Sequence, residues 1–164
     1  MLKITGCILL FISCSALGFL KASSYKARRR ELESALELVR LLNLEISYRK
    51  DPLQKTFQKV AALKECWFSD VLRECAFHLM KQEPLQRSWK GALNAGERPC
   101  PLLPGDVAVL EDLSLGLGKS DTRGQKEIFE PAMLRLAECL QQAQDQERKQ
   151  GKMYRSLGVS AGVV

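Results

Sequence analysis

Aromatic residues make up only 7% of this sequence, and His78 is its single histidine. Val, Ile, Thr and Tyr are sparse, which argues against a large sheet. The six cysteines, Cys7, Cys14, Cys66, Cys75, Cys100 and Cys139, form no CxxC pair. Zinc needs clustered thiolate or imidazole ligands, and this chain offers no such cluster. Cys66, Cys75 and Cys139 fall in helical patterns, where a thiol acts as a small hydrophobe. No metal site is therefore expected, and the thiols read as reduced and facing a cytosol.

What the chain has in quantity is Leu, Glu, Gln, Lys, Arg and Ala, all strong helix formers. Its 164 residues suffice for one domain with a modest core, and 46% of them are apolar. The net charge of +6 fits nucleic acid, an anionic membrane or an acidic partner about equally well.

The longest uncharged stretch is ITGCILLFISCSALGFL, Ile4 to Leu20. As a helix it reaches about 25 Å, near the short limit for a bilayer span. A signal peptide has a shorter apolar core, and Phe11 and Ile12 suit a lipoprotein cleavage site at Cys14 poorly. Only Lys3 precedes the run, whereas Lys21, Lys26, Arg28, Arg29 and Arg30 follow it. The positive-inside tendency then puts the rest of the chain in the cytoplasm. Residues 1–23 read as a transmembrane anchor, 24–156 as a cytoplasmic helical domain, and 157–164 as an apolar tail or the start of a second membrane segment.

Beyond Ser24 the apolar spacing is helical. Leu32, Leu36, Val39, Asn43 and Ile46 follow a four-three-four-three rhythm, and Leu38, Leu41, Leu42 and Leu44 widen that face enough for more than one neighbour. Asp51–Pro52 ends the helix near Tyr48. A second helix starts at Pro52, a third covers 65–81, and a fourth has Pro84 in its first turn. NAGERPCPLLPGD, from Asn94, reads as a loop. A fifth helix runs through Val107, Leu110, Leu113 and Leu117. The last starts near Asp121, and Pro131 should kink it or delay its start. The expected fold is all-α: a membrane-anchored bundle of about six helices.

GLGKSD (116–121) resembles the end of a phosphate-binding loop. Such a loop needs a glycine five positions before the second one, and there the chain has Leu113. No strand precedes it. The stretch reads instead as a corner, with Gly116 or Gly118 ending one helix in the left-handed conformation. Ser120, Asp121 or Thr122 would cap the next helix, with Thr122 and Gln125 at capping-box spacing. Lys119 would be solvated.

Four segments resemble the stage III sporulation protein AB family of endospore-forming bacteria: the N-terminal MLK with its apolar run, LNLEISYRKDPL ending at Leu53, LGLGKSDTRGQ (115–125) and KMYRSLGVSAG (152–162). The resemblance implies a helical membrane protein of the mother cell, needed for forespore development. It implies a soluble part similar to the cytoplasmic domains of type II secretion platform proteins. It also implies work beside a secretion-type ATPase and other proteins of the same operon. Family members usually end in a second apolar segment, whereas the tail from Leu157 is too short to span a bilayer alone. Arg148, Lys149, Lys152 and Arg155 precede that tail, and Gly158 and Gly162 stand at small-xxx-small spacing.

No group of residues suggests chemistry. His78 reads as structural. Arg29, Glu33 and Glu37, at four-residue spacing, read as a charged helix face, and Glu45 as a surface or inter-helix contact. Glu111–Asp112 has no second acidic pair at metal-ligand spacing. The expectation is a non-enzyme with no catalytic, cofactor or metal residues. It is a scaffold at the mother-cell or outer forespore membrane that contacts lipid and operon partners and is able to self-associate. The alternative is a basic helical module for nucleic acid or another regulatory partner; no recognition helix with a basic-aromatic face stands out, so nucleic acid is not expected.

Overall fold

The computed structural model describes residues 2–49, 51–96, 98–119 and 125–161; within these, 2–5, 7–19, 118–119, 125–126, 151–152 and 154–161 are described by backbone alone. Among the described residues there are six helices and no strand: α1 Leu2–Arg49, α2 Leu53–Ala61, α3 Trp67–Met80, α4 Leu85–Ala95, α5 Pro104–Lys119 and α6 Gln125–Ala161.

The all-α expectation holds, with boundaries set mostly by proline. Pro52 and Pro84 are the N-caps of α2 and α4, and Pro104 opens α5, a position where its missing N–H costs nothing. The apolar run and the helix beyond Ser24 form one helix, α1, of 48 residues, about 70 Å long. One expectation on the long helices needs correction: Pro131 does not delay α6, which passes through it.

The helices run up and down in turn. Lys59 of α2 pairs with Glu45 of α1, and Lys64, just past α2, with Glu37, so α2 descends along α1. Gln58 contacts Met80, which brings α3 back up. A Cβ on Gly91 would lie 3.7 Å from His78, and one on Gly96 3.4 Å from Trp67, so α4 descends again. Asp106 at the start of α5 meets Arg28, and Asp112 meets Arg135, which sets α5 rising beside a descending α6. Each helix touches the next, and α6 closes the ring through its extensive contact with α1; α1 also touches α3. The broad apolar face of α1 thus serves three neighbours, α2, α3 and α6.

The core lies inside this ring. Leu32, Leu38 and Leu42 of α1 meet Phe57, Phe68, Leu72, Leu110, Leu113, Phe129 and Leu136, all sealed from solvent. Trp89 sits edge-on to both Phe57 and Phe68, with ring centres 5.9 and 6.1 Å away, a favoured aromatic geometry.

The short helices lie alongside the long ones rather than across the end remote from the apolar run. The nine-residue α2 folds back along α1, α3 follows beside both, and α4 and α5 continue the ring to α6. Lys64 consequently lies toward the base, where α1 and α6 leave the bundle, and Arg73 lies along α3.

Candidate functional site

Both long helices continue past the base of the bundle: α1 toward residue 2 and α6 toward residue 161. The five basic residues that follow the apolar run divide into two groups there. Arg28 is buried. Its Nε and Nη2 donate to the two carboxylate oxygens of Asp106 at 2.7 and 2.9 Å, and its Nη1 donates to Gln146 Oε1 at 2.9 Å. The hydrogen bond to Asp106 raises the Arg28 pKa further. For Asp106, burial alone would push the carboxyl up. The Arg28 hydrogen bond, the Leu103 N–H and the guanidinium charge outweigh it, and the net pKa is lowered.

Arg29 is similarly engaged, donating to Glu147 at 2.5 Å and to Glu33 at 2.7 Å. The second of these is the pair expected from four-residue spacing. Lys21, Lys26 and Arg30 are exposed, as are Arg148 and Lys149 on α6, and none of them has an ion pair among the described residues. A cleft of about 450 Å³ between the two helices is lined by Ala22, Tyr25, Lys26, Arg30, Glu147 and Gln150. Two of the five cations thus fasten α1 to α5 and α6, and three form part of a basic collar.

A second polar junction lies just above. Glu31 is nearly buried, and its oxygens accept the Trp67 and Phe68 N–H groups at 3.2 and 2.9 Å. A carboxylate from α1 thereby caps the N-terminus of α3, where helix dipole and free donors favour negative charge. Cys66 and Ser69 complete the cap, with the Cys66 N–H donating to Ser69 Oγ at 3.0 Å. From the sequence, Glu31 belongs with Glu33 and Glu37 on a solvated charged face, but it is buried and caps α3; Asp106 and Gln146 are not singled out by the sequence. Only the low charge of the early α5 segment could have drawn attention to Asp106.

The other sequence candidates do not converge. His78 is half-buried between Glu74, 3.6 Å away, and Glu83, 3.2 Å away. Glu45 is an inter-helix contact, bonded to Lys59 at 2.7 Å, and that bond lowers its pKa. Asp112 pairs with Arg135 at 2.8 Å. Burial raises the thiol pKa of Cys66, Cys100 and Cys139 and pushes Cys75 up to about 12. No group among the described residues gathers three metal-binding side chains.

The corner reading of GLGKSD changes in part. The helix does not end at Gly116 or Gly118; α5 runs through both to Lys119. Gly116 instead allows close approach, since a Cβ there would collide with Ile128 Cγ2. The expected caps Ser120, Asp121 and Thr122 lie outside the described residues, as do Gly162 and the last two residues of the tail. No helix among the described residues is long and apolar enough to cross a membrane. The backbone of the run 4–20 is helical, but its side chains, apart from Leu20, lie outside the described residues.

The family model for stage III sporulation protein AB matches residues 3–164. The chain belongs to the stage III sporulation protein AB family. A stage III sporulation protein AB of Bacillus subtilis (strain 168) is 25% identical over 165 residues, covering 100% of this chain and 96% of the relative. The solved structure of a stage III sporulation protein AB superposes with a TM-score of 0.66 at 20% identity, over 75% of this chain and 98% of the other. That likeness supports the same all-α fold, and family membership supports a role in stage III of sporulation.

Proposed function

We propose that the protein is a non-enzymatic, membrane-anchored scaffold of stage III sporulation. The run 4–20 holds it in the mother-cell or outer forespore membrane, and the six-helix bundle faces the mother-cell cytoplasm. One observation carries the reading: the exposed cations Lys21, Lys26, Arg30, Arg148 and Lys149, without an ion pair among the described residues, gather at the base, beside the uncharged run. Such a collar suits the anionic headgroups of a cytoplasmic leaflet, at about 1 kcal/mol per cation. The bundle then offers its far end, around Asp51 and Lys81 to Leu85, to operon partners of a secretion-like channel between mother cell and forespore, including the secretion-type ATPase that the family resemblance implies.

Topology reporters test this. A reporter fused after Lys50 is active in its cytoplasmic form and silent in its exported form, and the chain resists alkaline extraction from membranes. An active exported reporter, or a mature N-terminus at Cys14, overturns the reading.

A further inference from the structure

Two helix faces on opposite sides of the ring carry the same pattern with opposite charge. On α3, Arg73, Phe77 and Lys81 follow one another at four-residue spacing, and all are exposed, Phe77 at 49%. On α6, Glu130, Leu134 and Glu138 do the same, with Leu134 exposed at 67%. Each stripe is cation–apolar–cation or anion–apolar–anion over about 12 Å of helix. Neither exposed hydrophobe is unusual alone. The complementarity of the two stripes is the informative feature.

Most of their surroundings keep the same signs; the opposite charges beside them, Glu74 on α3 and Arg135 on α6, pair with His78 and Asp112, and Arg148 and Lys149 lie past the acidic face at the base. Glu127 and Asp145 extend the acidic face along α6, exposed and without an ion pair among the described residues. Beside α3, Arg87 and Lys90 of α4 are exposed and unpaired in the same sense. Asp70 is shared between Arg73 at 3.0 Å and Arg98 at 3.2 Å, which leaves that group with net positive charge. Lys81 Nζ sits 4.1 Å above the Phe77 ring. Among the described residues, helices α3 and α6 make no contact with each other, so neither stripe satisfies the other within one copy.

We infer that the α6 stripe of one copy docks on the α3 stripe of a second copy. The interface is heterologous, so it repeats, and copies extend in a row. Helix α3 rises from the base and α6 descends to it, so copies standing side by side set these helices antiparallel. Arg73 then faces Glu138, Lys81 faces Glu130, and Phe77 packs on Leu134. The bases of all copies point the same way, as a shared membrane requires; that orientation rests on the proposed anchoring, whereas the pairing does not. The contact is small, so it is weak in dilute solution and gains from confinement. Its charges set partner choice and association rate.

The test uses the full chain in a neutral detergent, with self-association followed by sedimentation velocity. The parent associates at low salt, and about 1 M salt weakens this. The variants Glu130→Lys/Glu138→Lys and Arg73→Glu/Lys81→Glu each weaken association about tenfold or more. Mixed together they associate with each other, because one now carries two basic faces and the other two acidic faces. Phe77→Gln and Leu134→Gln, at exposed positions, weaken association without charge change and replace any reversal variant that loses helical content. A parent that stays monomeric at low salt, charge variants that associate as the parent does, or a mixture that fails to associate overturns the proposal. Because the readout is in detergent, its failure leaves the topology test unaffected, and the reverse also holds.

Discussion

Arg28 and Asp106 form a two-pronged, nearly solvent-sealed ion pair at the base of the bundle, with bonds of 2.7 and 2.9 Å. It joins the first helix to the fifth, and through Gln146 to the sixth. Removing one partner strands the other charge in a buried site. Arg28→Ala or Asp106→Ala is expected to destabilise the full chain by about 3–5 kcal/mol, measured by urea unfolding. Arg28→Lys is expected to recover only part of this, because an ammonium cannot bond both oxygens in the same plane.

The same pair gives a signed pH dependence. The folded Asp106 pKa lies below its ordinary value, so its contribution is fully present above about pH 4, the unfolded value. It is lost as pH falls through the folded pKa. Arg28 shifts upward, and its contribution disappears only in strong alkali. Acid unfolding should therefore be shallower for Asp106→Asn than for the parent. Superimposable slopes below pH 4 would remove Asp106 from the account.

Glu31 predicts a graded response. Glu31→Ala leaves the Trp67 and Phe68 N–H groups without their acceptor and should cost about 1–3 kcal/mol by thermal or urea unfolding. Glu31→Gln keeps one acceptor oxygen and should cost less. Equal losses for the two would mean that packing, not capping, holds the residue.

The glycines of the fifth helix separate close approach from flexibility. Gly116→Ala forces a methyl group against Ile128 and should destabilise by about 1–3 kcal/mol, with Ile128→Ala giving partial relief in the double variant. Gly105→Ala meets nothing within 4 Å and should be neutral or stabilising by up to about 1 kcal/mol. Paired denaturation curves decide it.

Gln82 is a place where stability can be gained. It has φ 62° just after α3, where the Gln82 N–H bonds Leu79 O and the Glu83 N–H bonds His78 O. This is a Schellman turn, whose left-handed position favours glycine. Gln82→Gly should raise stability by about 1 kcal/mol, seen as a higher urea midpoint at unchanged slope. A lower midpoint would show that the side chain contributes more than the strain costs.

Much of the fold is legible because helices are local. The 3.6-residue recurrence of Leu32, Leu36, Val39 and Ile46, together with Pro52 and Pro84, suffices to count the helices and place most of their ends, since each end depends on residues within one turn; the expected loop 94–106 proves too long, because α4 runs to Ala95 and α5 opens at Pro104. The basic flank of the apolar run is equally visible. Tertiary structure alone decided which of those cations are spent on the fold. Arg28 and Asp106 are 78 residues apart, and Glu31 caps a helix whose first N–H lies 36 residues away. No periodicity joins such pairs. A charged side chain shows its own chemistry in the sequence, but whether it meets water or a buried partner depends on how the helices stack. For the same reason Gly116, which looks like a helix stop, proved to be a point of close approach: what it requires is set by Ile128 on another helix, not by its neighbours in the chain.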